Sequence, residues 1–188
     1  MKNKNFIFAY IVILLLIAAV VIYRDQLLKD FPIKNRPIEK LPNSFNECIA
    51  TGLPVQETYP RICVLPNGQS FSEDIGNELE KIDLIRVDSP RPNSNIKNPI
   101  VITGKARGLW FFEASFPVSL VDENNLEVTS STAQAQGNWM TEEFVDFTAN
   151  LIIPNSFSGK ATLILKKDNP SGDSSKDDEL IIPVNIFN

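Results

Sequence analysis

Histidine is absent from this chain of 188 residues. Its absence removes Ser-His-Asp and Cys-His nucleophile arrangements and any His-ligated metal centre. Cysteine is scarce: Cys48 and Cys63 are the only two, too few for a zinc site without histidine. No G-x-x-x-x-G-K or G-x-G-x-x-G occurs, so no glycine-rich loop is available to cradle phosphates. The distal half lacks any Lys/Arg cluster. Setting Lys2 and Lys4 aside from 18 Lys+Arg leaves 16 against 23 Asp+Glu, a net of −7. An acidic body of this kind is a poor nucleic-acid binder, because phosphate contacts need basic patches. Its charge favours solubility.

One long apolar run is present. Phe6 to Tyr23 is 18 residues without a charge, and as a helix it would span about 27 Å, close to the thickness of a bilayer's hydrocarbon. An uncleaved transmembrane helix is the expectation. A cleaved secretory signal and a buried core helix are the alternatives. The signal is disfavoured because bulky Val20, Val21, Ile22 and Tyr23 follow Ala18-Ala19 where a small-residue cleavage site would be needed. Arg24, Lys29, Lys34, Arg36 and Lys40 outnumber Lys2 and Lys4, so a count of flanking charges puts the body in the cytoplasm. Long domains translocate regardless of such counts, and the cysteines argue for the outside.

Residues 24–46 read as a stalk, with Pro32, Pro37 and Pro42 recurring every five residues and holding an extended, semi-rigid chain. Residues 47–73 read as a small module. Its two cysteines sit among turn residues, and Pro66-Asn67-Gly68 marks a hairpin carrying Cys63, with Cys48 on a turn or short helix. A bridge between them closes a loop of about 15 residues, worth about 3 kcal/mol in the chain-entropy model. Free thiols in a reducing compartment are the alternative reading. Residues 74–81 are a polar linker with room for one or two helical turns. Residues 82–188 change character to β. Expected strands run over 82–87, 100–106, 116–121, 126–135, 144–153, 161–165 and 180–187. About seven short strands, with turn signals every 8–15 residues, predict an all-β fold, an antiparallel β-sandwich.

The densest aromatic stretch is Ala106-Arg-Gly-Leu-Trp110-Phe111-Phe112-Glu113-Ala114-Ser-Phe116-Pro117-Val118. Gly137-Asn138-Trp139-Met140-Thr141 and Asp168-Asn169-Pro170-Ser171-Gly172 follow it. In order and spacing these three motifs resemble the immunoglobulin-like domain of bacterial spore-germination proteins, the second of the domains associated with GerM, over about 84–187. The resemblance implies an immunoglobulin-like sandwich outside the cytoplasm and brings no catalytic residues. The chain departs from the family's setting in lacking a recognisable GerM domain upstream.

Trp110, Phe112, Phe116 and Trp139 are large enough to dominate a small core. The alternative for these rings is an exposed binding platform. Arg107 and Glu113 are expected to pair at the sandwich edge, and Gly104 and Gly108 to serve a bulge or a tight turn. Glu142, Glu143 and Asp146 form one acidic group, and Asp177, Asp178 and Glu179 another. Paired carboxylates hydrolyse glycosides only in a cleft that holds the sugar, so a solvated surface is the simpler reading. Asp168, Asn169, Asp173, Asp177 and Asp178 crowd one loop with oxygen ligands suited to calcium, yet the run DNPSGDSSKDD does not follow the twelve-residue calcium loop.

The expectation is therefore a non-enzymatic, single-pass protein of the bacterial cell membrane. Phe6–Tyr23 would hold it in the bilayer, residues 1–5 would lie in the cytoplasm, and the body would lie outside. It needs no cofactor and no metal, and it does not bind nucleic acid. Its partner is an envelope protein, for adhesion or scaffolding. A carbohydrate- or peptidoglycan-binding module acting on cell-wall glycan is the second reading.

Overall fold

The computed structural model describes residues 41–187. The apolar run Phe6–Tyr23, the tail before it and most of the stalk lie outside the described residues. Among the described residues no helix is long and apolar enough to cross a membrane.

The cysteine module opens with helix α1 (Phe45–Ala50), started by Ser44, whose side chain accepts from the Glu47 N–H. Gly52, at φ +79°, ends it by taking the left-handed position that follows a helix. Phe45 and Cys48, three apart, face the same way and are buried. They pack on a three-stranded antiparallel sheet of β1 (Val55–Gln56), β2 (Ile62–Val64) and β3 (Ser70–Ser72). The expected hairpin is there, with Gly68 at φ +87°. Cys48 and Cys63 are bonded, and with Phe45 and Leu65 they form the module's core. Phe45 thus belongs to the packed module rather than to the stalk. A core this small gains much of its stability from the bridge.

Residues 82–84 do not begin the first long strand as expected. They finish the turn of helix α2 (Glu78–Lys81), Leu84 N–H bonding to the Lys81 carbonyl at 2.8 Å. Eight strands follow: β4 (Ile85–Ser89), β5 (Asn95–Ile96), β6 (Ile100–Arg107), β7 (Ser115–Asp122), β8 (Glu127–Ala135), β9 (Phe144–Leu151), β10 (Gly159–Lys166) and β11 (Glu179–Ile186). Strands β6, β9 and β11 alternate buried residues with half-buried or exposed ones, the mark of a sheet with one face on a core.

The expected two-sheet sandwich is joined into one curled sheet of order β4-β6-β9-β8-β7-β10-β11-β5. The halves β4-β6-β9 and β8-β7-β10-β11 are joined where Gln134 and Ala135 pair with Thr148 and Phe147, and the Gln136 N–H extends the seam to the Asp146 carbonyl at 2.7 Å. Their inner faces share one core that includes Ile85, Ile102, Trp110, Phe116, Phe147, Leu163 and Ile182. Phe116 and Phe147 cross between the halves edge to face, 4.9 Å apart. Gly104 lies opposite the irregular pairing at Val87/Ser89, and a Cβ on it would sit 2.2 Å from the Arg86 carbonyl oxygen. That bears out the bulge.

The outer edge of β11 is closed from upstream. Asn77 accepts from Ile181 N–H (2.7 Å) and donates to the Glu179 carbonyl (2.9 Å) through its side chain. Asn93, Ser94 and Ile96 bond residues Pro183, Asn185 and Phe187. Pro183, which has no N–H, sits on this edge, where sheets tolerate proline.

Trp110 is fully buried, Trp139 partly buried against the same core, and Phe112 39% exposed. Trp110→Ala is expected to cost about 3–5 kcal/mol and Phe112→Ala to stay within about 0.5 kcal/mol. Urea denaturation followed by circular dichroism separates the two, with Trp139→Ala falling between them.

Candidate functional site

One end of the sandwich is built by two loops. The first joins β6 to β7. It makes a 3-10 turn over Gly108–Trp110, which changes the phase of the side chains, so Phe111 turns inward beside Phe116 and Phe112 turns out. The reading that Phe112 builds the core is therefore corrected: Phe111 takes that place. The chain then reverses tightly, Phe112 and Ser115 exchanging both N–H···O bonds at 3.0 Å. The two residues between them, Glu113 and Ala114, hold φ of 48° and 63°. Consecutive positive φ is the geometry of the turns that usually take Asn-Gly. With side chains present it costs about 1–2 kcal/mol per residue. Buried Phe111 and paired Ser115 hold the turn in place on either side.

The second loop, residues 136–143, is fastened to the first at Gly108. There the backbones approach so closely that a Cβ would lie 1.9 Å from the Thr141 carbonyl oxygen and 2.3 Å from that of Trp139. Gly108 N–H bonds the Glu143 carbonyl at 3.2 Å. Arg107 reinforces the junction by donating to the Asp83 and Glu142 carbonyls, each at 3.1 Å. Its guanidinium lies 4.2 Å from the Phe144 ring centre. The expected Arg107–Glu113 pair does not form. Arg107 faces Glu143 at 3.7 Å, while Glu113 stands exposed on its turn. Fastened this way, the loops present Leu109, Phe112 and Met140 to solvent, Met140 at 74% exposure. Glu113, Glu142 and Glu143 are exposed on the same two loops.

A second polar assembly ties the cysteine module to the sandwich. Glu78 is the buried charged residue of the described core. It accepts from the Tyr59 hydroxyl and from Arg91 Nη1 at 2.6 Å, and Arg91 also caps the Val87 carbonyl at 2.8 Å. Burial, and then the bond to Glu78, push the Tyr59 phenol well above its ordinary range. Beside it Arg61 grips Glu73 with two bonds of 2.8 and 2.7 Å, and Asn93 adds a third at 3.1 Å. A cleft of about 590 Å³ lies along this junction, lined by Arg61, Glu73, Asn93, Lys160 and Asn185 among others. Most of its polar groups are already engaged with one another. No periodicity in the sequence marks this assembly; the run Tyr59-Pro60-Arg61 beside Cys63 is its one local sign.

The acidic groups are dispersed. Asp146 lies opposite Lys105 across β6 and β9, and Asp178 pairs with Lys81 at 2.6 Å. In the 168–178 loop Asn169 donates to Asp173 and Asp177, and Asp173 caps Ser175. Among the described residues no group of three His, Cys, Asp or Glu is gathered as metal ligands.

The hydrogen bond from Arg61 holds the Glu73 carboxyl below its usual range. A depressed pKa in the folded state stabilises above the unfolded-state value, and that contribution is lost as pH falls through the folded pKa. Glu73→Gln is therefore expected to lower the urea midpoint at pH 7. It should also flatten the decline of that midpoint on acidification, measured from pH 7 down to below the ordinary carboxylate range.

Residues 84–174 match the family described as the immunoglobulin-like domain of bacterial spore germination, just under half of the chain. The resemblance carried by the three motifs is thereby shown for that stretch. No curated protein matches the chain, and no solved structure matches it.

Proposed function

We propose that this chain is a non-enzymatic, single-pass membrane-anchored protein of the bacterial envelope. In this reading its immunoglobulin-like domain lies outside the cytoplasm and binds another envelope protein through the loops at 108–114 and 136–143. The observation that carries the reading is the division of labour in the aromatic segment. Trp110, Phe111 and Phe116 are spent on the core, while Leu109, Phe112 and Met140 are left in water on a backbone whose cost only a fixed shape justifies. Exposed apolar groups held rigidly suit a protein contact, because little ordering entropy is lost on binding. The family match supports an interaction domain and brings no catalytic machinery. The bonded cysteines support an oxidising compartment, and the run Phe6–Tyr23 supports the anchor. Burial of both tryptophans would disfavour the cell-wall glycan reading; Trp110 is inside, but Trp139 is only partly buried and the Phe112 ring is exposed, so that reading stays the second one.

Three measurements test this. A reporter active only outside the cytoplasm, fused after Asn188, is expected to work; activity of a cytoplasm-only reporter there would reverse the topology. A photo-crosslinking amino acid at Phe112, in the full chain in its own membrane, is expected to give one protein adduct that a probe at Lys160 does not. The triple change Leu109→Ser, Phe112→Ser, Met140→Ser should remove the partner while leaving the melting temperature in place. If binding to purified peptidoglycan is what those changes abolish, the glycan reading takes over.

A further inference from the structure

The apolar side chains at the end of the sandwich do not stand in neutral surroundings. Residues 108–114 and 136–143 hold Glu113, Glu142 and Glu143 and no Lys or Arg. All three glutamates are exposed, each within three residues of Phe112 or Met140 along the chain. The close contact at Gly108 keeps the two loops together, so the carboxylates and the apolar groups share one end of the domain.

The cations built around these loops are already in use. Arg107 donates to the Asp83 and Glu142 carbonyls, lies against the Phe144 ring and faces Glu143 at 3.7 Å. Arg86 lies against the same ring, 4.7 Å from its centre, and donates to the Ile82 carbonyl at 2.6 Å. Lys105 lies opposite Asp146. The loop at 168–178 hangs from the same end, with Asp168 N–H bonding the Trp110 carbonyl at 3.1 Å. Its lysines serve their own loop or strand. Lys167 donates to the Lys176 carbonyl, Lys176 faces Asp173, and Lys166 lies opposite Glu179. Among the described residues, no ion pair forms on Glu113 or Glu142.

We propose that the protein bound by these loops presents apolar side chains set beside Lys or Arg, and that those cations pair with Glu113 and Glu142. This rests on the reading that the loops bind a protein, and it names that protein's chemistry. Charge chooses among the occupants. An anionic lipid surface attracts cations and repels these carboxylates. A second copy meeting the same patch across a two-fold would set glutamates against glutamates, and like charges facing each other suppress association. A basic partner is drawn in by the same carboxylates. It gains ion pairs around an apolar contact, where they speed encounter and fix register.

The test uses the full chain in membranes from its own cells, with the photo-crosslinking amino acid at Phe112. The captured partner peptide, sequenced by mass spectrometry, is expected to carry Lys or Arg beside the crosslinked position. Glu113→Lys with Glu142→Lys is expected to lower the adduct about tenfold or more, with the melting temperature retained. Glu57→Lys with Glu123→Lys changes the net charge equally, at exposed positions outside these two loops, and is expected to leave the adduct unchanged. Raising salt from about 50 mM to about 500 mM should weaken the wild-type adduct several-fold, as the ion pairs are screened. Should the Lys pair lower the melting temperature, Glu113→Gln with Glu142→Gln decides, by a smaller loss in the same direction. An adduct that withstands both salt and the loop changes overturns the proposal and leaves the protein-binding reading in place, since the contact would then be apolar alone. An equal loss from the Glu57 and Glu123 changes also overturns it, because the charge of the whole body would then be acting. If the wild-type chain gives no protein adduct, or a lipid or glycan one, the reading of the loops falls and this proposal with it.

Discussion

The structure depends on how the free edge of its last strand is closed. β11 completes the sheet beside β10, and without a neighbour its outer N–H and C=O groups would be left open to water or to other chains. Asn77, from the linker, uses its side-chain amide as a substitute peptide group, and residues 93–96 continue the seal. These contacts span about a hundred residues of chain, so the two ends of the domain are held together. Gly76 shows how close the approach is: at φ +69°, a Cβ there would lie 1.9 Å from the Ile181 carbonyl oxygen. The family match ends at residue 174, before β11 begins, yet β11 is the strand on which the upstream segment is seated.

The segment that seals the edge also carries the groups that seat the cysteine module. Glu73, Glu78, Arg91 and Asn93 all belong to it or border it. A buried carboxylate such as Glu78 carries a large desolvation cost. It is tolerated because Tyr59 from the module and Arg91 from the sandwich both donate to it. Losing either partner would leave Glu78 inside with its charge less compensated. The module's own core is small, and the covalent link between Cys48 and Cys63 limits the unfolded chain where packing alone would give little.

At one end of the sandwich apolar side chains are held out in water by the backbone behind them. The loops at 108–114 and 136–143 expose Leu109, Phe112 and Met140 beside Glu113, Glu142 and Glu143. Their shape is fixed by the buried side chains behind them and by the glycine that lets the backbones touch.

Much of the fold was legible in the chain alone. Alternating residues located six of the seven long strands to within about two residues, because a strand with one face on a core must repeat every second position. Turn residues around two lone cysteines pointed to the bridge. The aromatic motifs identified the immunoglobulin-like domain because three of them occur in order. The apolar run of 18 residues set the expectation of an anchor, which lies outside the described residues. Tertiary structure decided what depends on local phase and distant partners. Phe111 takes the core place expected of Phe112 because a 3-10 turn, rather than a strand, precedes them. Arg107 chose Glu143 over Glu113 because the Gly108 contact brought the second loop beside it. Glu78, Tyr59 and Arg91 were silent, since a buried polar cluster leaves no periodic trace. The short pairing of β8 with β9 was silent too. Whether a strand finds a neighbour is settled by how the sheet curls, and that curvature is a property of all its strands together.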